Sequence, residues 1–188
     1  ESGRLVCFGS GPSRPAAPSR PIAAQVLAKP KRDRPLPDQQ RAEAILKDSG
    51  TTEGYALTLG AKSRGLALAL AAASRLHVIV LEPDADKAEA LRADLHAAGV
   101  YGDRVAVLAG DLASAPLPPY FAAIVVLDSP ATPADSGWCG KLFHVLHPYG
   151  GRAYLRLAPE QRQALGRFVA GDLPGKAELS EVIGWTRL

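Results

Sequence analysis

Methionine is absent from all 188 residues, position 1 included. The chain is therefore expected to be an excised fragment or a processed product, and its compartment cannot be read from its own N-terminus. Cysteine occurs only as Cys7 and Cys139, each isolated. Neither a CxxC pair nor a Cys/His ligand spacing is present, which argues against a zinc site or a disulfide framework. No apolar run approaches the roughly 20 residues that span a bilayer, and the opening ESGRLVCFGSG lacks the basic-then-apolar order of a signal peptide. The formal charge of +3 is uneven: residues 1–50 carry nine Lys/Arg against five Asp/Glu, and the remainder carries 13 against 14. That is a solvated basic arm, whereas a nucleic-acid footprint would be a basic face on the folded part.

What is present is organised around Gly54 to Glu82, GYALTLGAKSRGLALALAAASRLHVIVLE. Gly54 to Leu59 is a short apolar run closed by Gly60. Leu66 to Ala73 is rich in alanine and leucine and has no Pro, Gly or β-branched residue, which predicts a buried helix. His77 to Leu81 is a second apolar run that stops at Glu82. Parallel strands require such a crossover, so the stretch predicts one βαβ unit with an acid at the carboxyl end of its second strand.

The flanking chain divides in three. Residues 1–9, ESGRLVCFG, alternate like a short strand. Positions 10–37 hold seven prolines among Ser, Ala and basic residues, a composition expected of an extended linker. From Asp38 onward, 38–188, helical and strand signals alternate. Asp38 offers an N-cap for a helix that stops at Gly50. Asp84 and Gly99 bracket another, with Ala88, Leu91, Leu95 and Ala98 at helical spacing. Arg104 to Asp111 and the run ending at Asp128 predict a third and a fourth strand. A helix from about Asp135 to Leu146, a fifth strand GRAYLRL, a helix from Pro159 and one or two tail strands complete the order. Near-continuous apolar strands alternating with helices predict a three-layer α/β Rossmann-like domain with a doubly wound, mostly parallel sheet.

Strands ending in Gly60, Glu82 and the pair Gly110–Asp111, together with VIVLEPD, RVAVLAGD, IVVLD and VLHPYGGRAYL, resemble the class I S-adenosylmethionine-dependent methyltransferases. The resemblance runs from about Asp38 to the end and implies methyltransferase topology. It also implies S-adenosylmethionine as cofactor, with the turn at Gly60, Lys62 and Gly65 approaching the methionine part. Glu82 would hold the ribose hydroxyls, and Gly110 and Asp111 would meet the adenine. The first motif departs from the family pattern twice: Thr58 stands where the family has an acid, and Lys62 where it has its second glycine. The Lys62 side chain is expected either in the methionine pocket or in solvent. Asp128, where family members place a substrate-facing residue, is the candidate catalytic group; the alternative is a cap of the loop that follows. ESGRLVCFG is similar to the closing strand of a pyrroloquinoline-quinone-type β-propeller repeat. The pairing resembles a methyltransferase-like module beside such repeats in large bacterial proteins, which implies the rest of a propeller protein as partner and an exported or cell-envelope setting.

Two function classes follow: an S-adenosylmethionine-binding methyltransferase domain, or a catalytically inactive module with a structural or interaction role. Cys139 in GWCGK is a nucleophile or a packed thiol, Trp138 a pocket wall or a buried anchor, and His144 with His147 a metal pair or a polar helix end. The tail leaves open whether the strand hairpin that completes the family sheet is there.

Overall fold

The computed structural model describes residues 37–128, 135–172, 177–182 and 184–188. The strand at 1–9 and nearly all of the proline-rich 10–37 lie outside these residues. The first helix, α1 (Pro37–Ser49), starts with proline at its first position, where a missing N–H costs nothing. Asp38 therefore sits within the first turn and not at the cap.

The elements that follow are β1 (Glu53–Leu59), α2 (Arg64–Ala73), β2 (Arg75–Glu82), α3 (Ala85–Ala97), β3 (Val105–Ala109) and β4 (Ala122–Leu127). Then come α4 (Ser136–Val145), β5 (Arg152–Leu155), α5 (Pro159–Asp172), β6 (Ser180–Val182) and β7 (Trp185–Arg187). The strands form one sheet in the order β3-β2-β1-β4-β5-β7-β6. The first five are parallel; β7 runs antiparallel to β5, and β6 antiparallel to β7. The closing hairpin is thus present, built from two three-residue strands.

Period-two alternation in the strands divides the core in two. Ala56, Val78, Val80, Ile124, Val126 and Tyr154 pack beneath α1, α2 and α3, while Leu57, Leu59, Leu81, Val125, Leu127 and Leu155 pack beneath α4 and α5. The Asp84 cap read from sequence is in place, accepting from Asp86 and Lys87 N–H; the helix expected from about Asp135 starts at Ser136, with Asp135 as its cap, accepting from Trp138 N–H. The β3–β4 connection contains no helix. Leu112, Ala115 and Leu117 of that segment pack against the sheet, and Leu108 on β3 stays exposed.

Candidate functional site

All five parallel strands end at one edge of the sheet, and the βα turns of that edge bring most of the expected site residues together. β1 ends at Gly60, whose φ of +90° is a conformation suited to glycine, and Gly60 N–H donates to the Leu81 carbonyl at 2.8 Å. A 3₁₀ turn, Ala61–Ser63, then leads into α2, with Ser63 Oγ donating back to the Leu59 carbonyl at 3.1 Å. Glu82 ends β2 only 6% exposed, and its Oε1 accepts from Asp84 N–H at 3.1 Å. Its carbonyl accepts from Gly110 N–H at 2.8 Å, beyond the end of β3, where φ is +137°. Gly60, Glu82 and Gly110 therefore stand side by side across three neighbouring strands. Asp111 is exposed, and Ser114 N–H donates to its Oδ1 at 2.8 Å. That hydrogen bond holds its carboxyl below the usual range.

The other side of Gly60 is built differently. Thr58 is fully buried on β1, on the sheet face that α1 covers. Lys62 is exposed and has an ordinary negative φ, so its side chain takes the solvent branch and the turn does not require glycine there. Gly65 lies in the first turn of α2 against Asp38: a Cβ on Gly65 would run into the Asp38 carboxylate. Asp38 in turn accepts from Arg41 Nη2 one turn along α1. Arg41 Nη1 donates to Asp128 Oδ2 at 2.7 Å, and Arg156 Nε lies 3.5 Å from Asp128 Oδ1. Arg156 also stacks over the Trp185 ring at 5.1 Å.

Asp128 is thus 10% exposed and faces two guanidiniums. Three polar atoms in this corner are buried without a hydrogen-bond partner among the described residues: Thr58 Oγ1, Arg41 Nε and Asp128 Oδ1. Sequence reasoning singled out Thr58 and Asp128 but missed Asp38, Arg41 and Arg156. The available signal was Asp38, Arg41, Ile45 and Asp48 at helical spacing, one face of α1.

The remaining candidates fall elsewhere. Cys139 and Trp138 are buried in the core between sheet and α4, and burial pushes the Cys139 thiol up, away from a reactive thiolate. His144 ring-packs with Tyr120 at 6.0 Å, and His147 N–H donates to the Ala122 carbonyl at 2.9 Å, both at the amino-terminal edge of the sheet. Among the described residues no group of three His, Cys, Asp or Glu side chains is placed to hold a metal ion. No described helix is long and apolar enough to cross a membrane. A cleft of about 510 Å³ opens at that same edge, between Tyr120, Phe143, His147, Arg152 and Arg187.

No family model and no curated protein matches the sequence. Solved structures do match the fold. One from Methanococcus maripaludis, assigned as an S-adenosyl-L-methionine-dependent methyltransferase, aligns over 80% of this chain and 83% of its own, with 18% identity and a TM-score of 0.63. A SAM-dependent methyltransferase from Aquifex aeolicus aligns over 78% and 86%, with 15% identity and a TM-score of 0.55. The cyclase SpnF aligns over 62% of this chain and 43% of its own, with 15% identity and a TM-score of 0.54. Strand order, the antiparallel β7 and these likenesses together give the chain a Rossmann-like methyltransferase fold.

Proposed function

We propose that the domain binds S-adenosylmethionine at the carboxyl edge of β1, β2 and β3 and is a methyltransferase-like domain, with the acceptor left open. The observation that carries this reading is Glu82: a carboxylate 6% exposed, ending β2 between the Gly60 turn and Gly110. A carboxylate at a strand end can accept from both hydroxyls of a vicinal pair. Glu82 fits the ribose, Asp111 the adenine amino group, and the Gly60 turn allows backbone approach beside them. The cofactor, when bound, supplies an electrophilic methyl group. Among the chain's own residues, Asp128 is ion-paired with Arg41 and Arg156 and is read here as a positioning group.

Calorimetric titration with S-adenosylmethionine and S-adenosylhomocysteine tests the proposal. Saturable binding is expected, weakened by about 1.5–3 kcal/mol in Glu82→Ala, the scale of hydrogen bonds to a charged group. Absence of binding at millimolar ligand, or unchanged affinity in that variant, would overturn it.

A second reading has its own support. Thr58 and Lys62 replace the acid and the second glycine of the first motif, and ESGRLVCFG resembles a propeller strand. These favour a catalytically inactive structural or interaction module within a larger bacterial propeller protein, exported or in the cell envelope. The cyclase SpnF, sharing the fold, is a reminder that the fold alone does not specify methyl transfer.

A further inference from the structure

A doubly wound sheet is covered by helices on both faces, and one corner of this sheet is left open among the described residues. On the α4 and α5 side, Tyr55 of β1, His77 and Ile79 of β2, and Ala106 and Leu108 of β3 share one face, because Tyr55 pairs with His77, Ile79 with Ala106 and Leu81 with Leu108. A right-handed β3–β4 crossover passes over β2 and β1 on this face, and here that connection, 110–121, contains no helix. Its Leu112, Ala115 and Leu117 join the neighbouring core, but the band beyond them is not closed: Tyr55 is 47% exposed and Leu108 40%. Phe121 extends the band, with the Tyr55 ring 6.1 Å from it and 5.6 Å from the His77 ring. From Leu108 to Tyr55 the band is roughly 16 Å long, four residues along the strands and two strands across.

The size of the band selects its occupant. Its open area is on the order of a few hundred Å², below the roughly 800 Å² per partner of a standard interface between two proteins, and it suits one short tethered segment. Such a segment precedes α1. Within residues 10–35 the large aliphatic side chains are Ile22, Val26 and Leu27, all in IAAQVLAK, 22–29, the longest stretch of that run without proline or glycine. Their spacing, i, i+4 and i+5, puts them on one side of a two-turn helix about 12 Å long. We infer that residues 22–29 cover the open band in place of the missing crossover helix, with Leu27 toward Leu108 and Ile22 toward Tyr55 and Phe121. The reach is sufficient. Ten residues from Leu27 to Pro37 span up to roughly 30 Å of proline-rich chain, against roughly 20–25 Å from the start of α1 around the carboxyl edge to Leu108. Charge agrees with that route: 29–36 carries Lys29, Lys31, Arg32 and Arg34 against Asp33, and the edge carries Asp84, Asp86 and Asp111 beyond β2 and β3. Tethering holds the segment at about millimolar local concentration, so a contact of this size suffices.

Hydroxyl-radical labelling of the full chain, read residue by residue by mass spectrometry, tests the inference without any ligand. Tyr149, 93% exposed, serves as the internal reference. In the wild type Tyr55 and Leu108 should be protected relative to Tyr149, and the double change Ile22→Asp with Leu27→Asp should raise their labelling several-fold while leaving Tyr149 unchanged. Both substitutions lie ahead of α1, outside the two cores, so the far-ultraviolet circular dichroism of the folded domain should be retained. Ile22→Leu with Leu27→Ile, which keeps apolar volume, should keep the protection. From the other side, Leu108→Asp should raise the labelling of Leu27. Tyr55 and Leu108 labelled as strongly in the wild type as in the double variant would overturn the inference. Protection that survives the double variant would overturn it as well, and a dependence of that protection on protein concentration would then place a second copy of the chain on the band.

Discussion

Helix α1 carries the same chemistry at both ends and finishes it in only one. At its C-terminal end, over the amino edge of the sheet, Asp48 accepts from Arg187 Nη1 at 2.8 Å, from Tyr154 Oη at 2.7 Å and from Arg152 Nη1. Among the described residues no side-chain polar atom of that cluster is left buried and unpaired. At the N-terminal end, seven residues and roughly 10 Å earlier along the helix, Arg41 donates to Asp38 and Asp128, Arg156 Nε lies 3.5 Å from Asp128 Oδ1, and Arg41 Nε has no hydrogen-bond partner among the described residues. A closed network of buried polar groups fastens a helix to a sheet. The contrast assigns the fastening of α1 to the sheet to Asp48.

The largest expected effect on folding is therefore at Asp48. Asp48→Ala strips the main acceptor from a buried Tyr154 hydroxyl and from two guanidiniums, and should cost about 2–3 kcal/mol in urea unfolding, discounted for the partial exposure of all three donors. Asp128→Asn should cost clearly less. The same hub has a pH signature. The Tyr154 hydroxyl and Arg187 hold the Asp48 carboxyl below its ordinary value in the fold, against the opposing effect of burial. A group with a depressed folded pKa contributes stability above its unfolded value, and that stability is lost as pH falls through the folded one. Stability should then decline from about pH 4 downward, and Asp48→Asn should flatten that part of the profile; an identical acid slope in the variant would remove Asp48 from the account. At the other extreme, burial and the neighbouring Asp48 raise the Tyr154 phenol well above its usual value, so stability should also fall as pH rises above 10.

A smaller effect sharpens the comparison at the N-terminal end. Gly65→Ala gains helix propensity but drives the Asp38 carboxylate away from α2, for a net loss of about 1 kcal/mol. In an Asp38→Ala background the obstruction is gone and the same change should stabilise by about 0.5–1 kcal/mol. Equal effects in the two backgrounds would mean that Asp38 does not pack there.

Most of this architecture was legible in the sequence because it is local. Apolar runs of five to eight residues, the Asp84 cap and the glycines closing β1 and β3 act within a few positions, and each described element lies within a few residues of its expected place. The site was half legible for the same reason: Gly60, Glu82 and Gly110 sit at strand ends that the pattern itself marks. Long-range pairing was not. Arg41 and Asp128 are 87 positions apart, and Asp48 and Arg187 139, and no local spacing distinguishes those side chains from solvated charges. Asp38 read as a helix cap because capping residues and first-turn acids look alike in sequence; proline at position 37 starts the helix two residues sooner than that cap implies, and the carboxylate faces Gly65. The closing hairpin was indistinct because its strands are three residues each, too short to show alternation.

The most direct test of the division between the two edges of the sheet is an amide chemical-shift map of the intact chain during titration with S-adenosylhomocysteine. The account predicts perturbations at Gly60, Glu82, Gly110 and Asp111, with Asp48, Arg152, Tyr154 and Arg187 unmoved. Shifts confined to the amino edge, around the cleft lined by Tyr120, His147 and Arg187, would contradict it, and so would a spectrum unchanged at millimolar ligand.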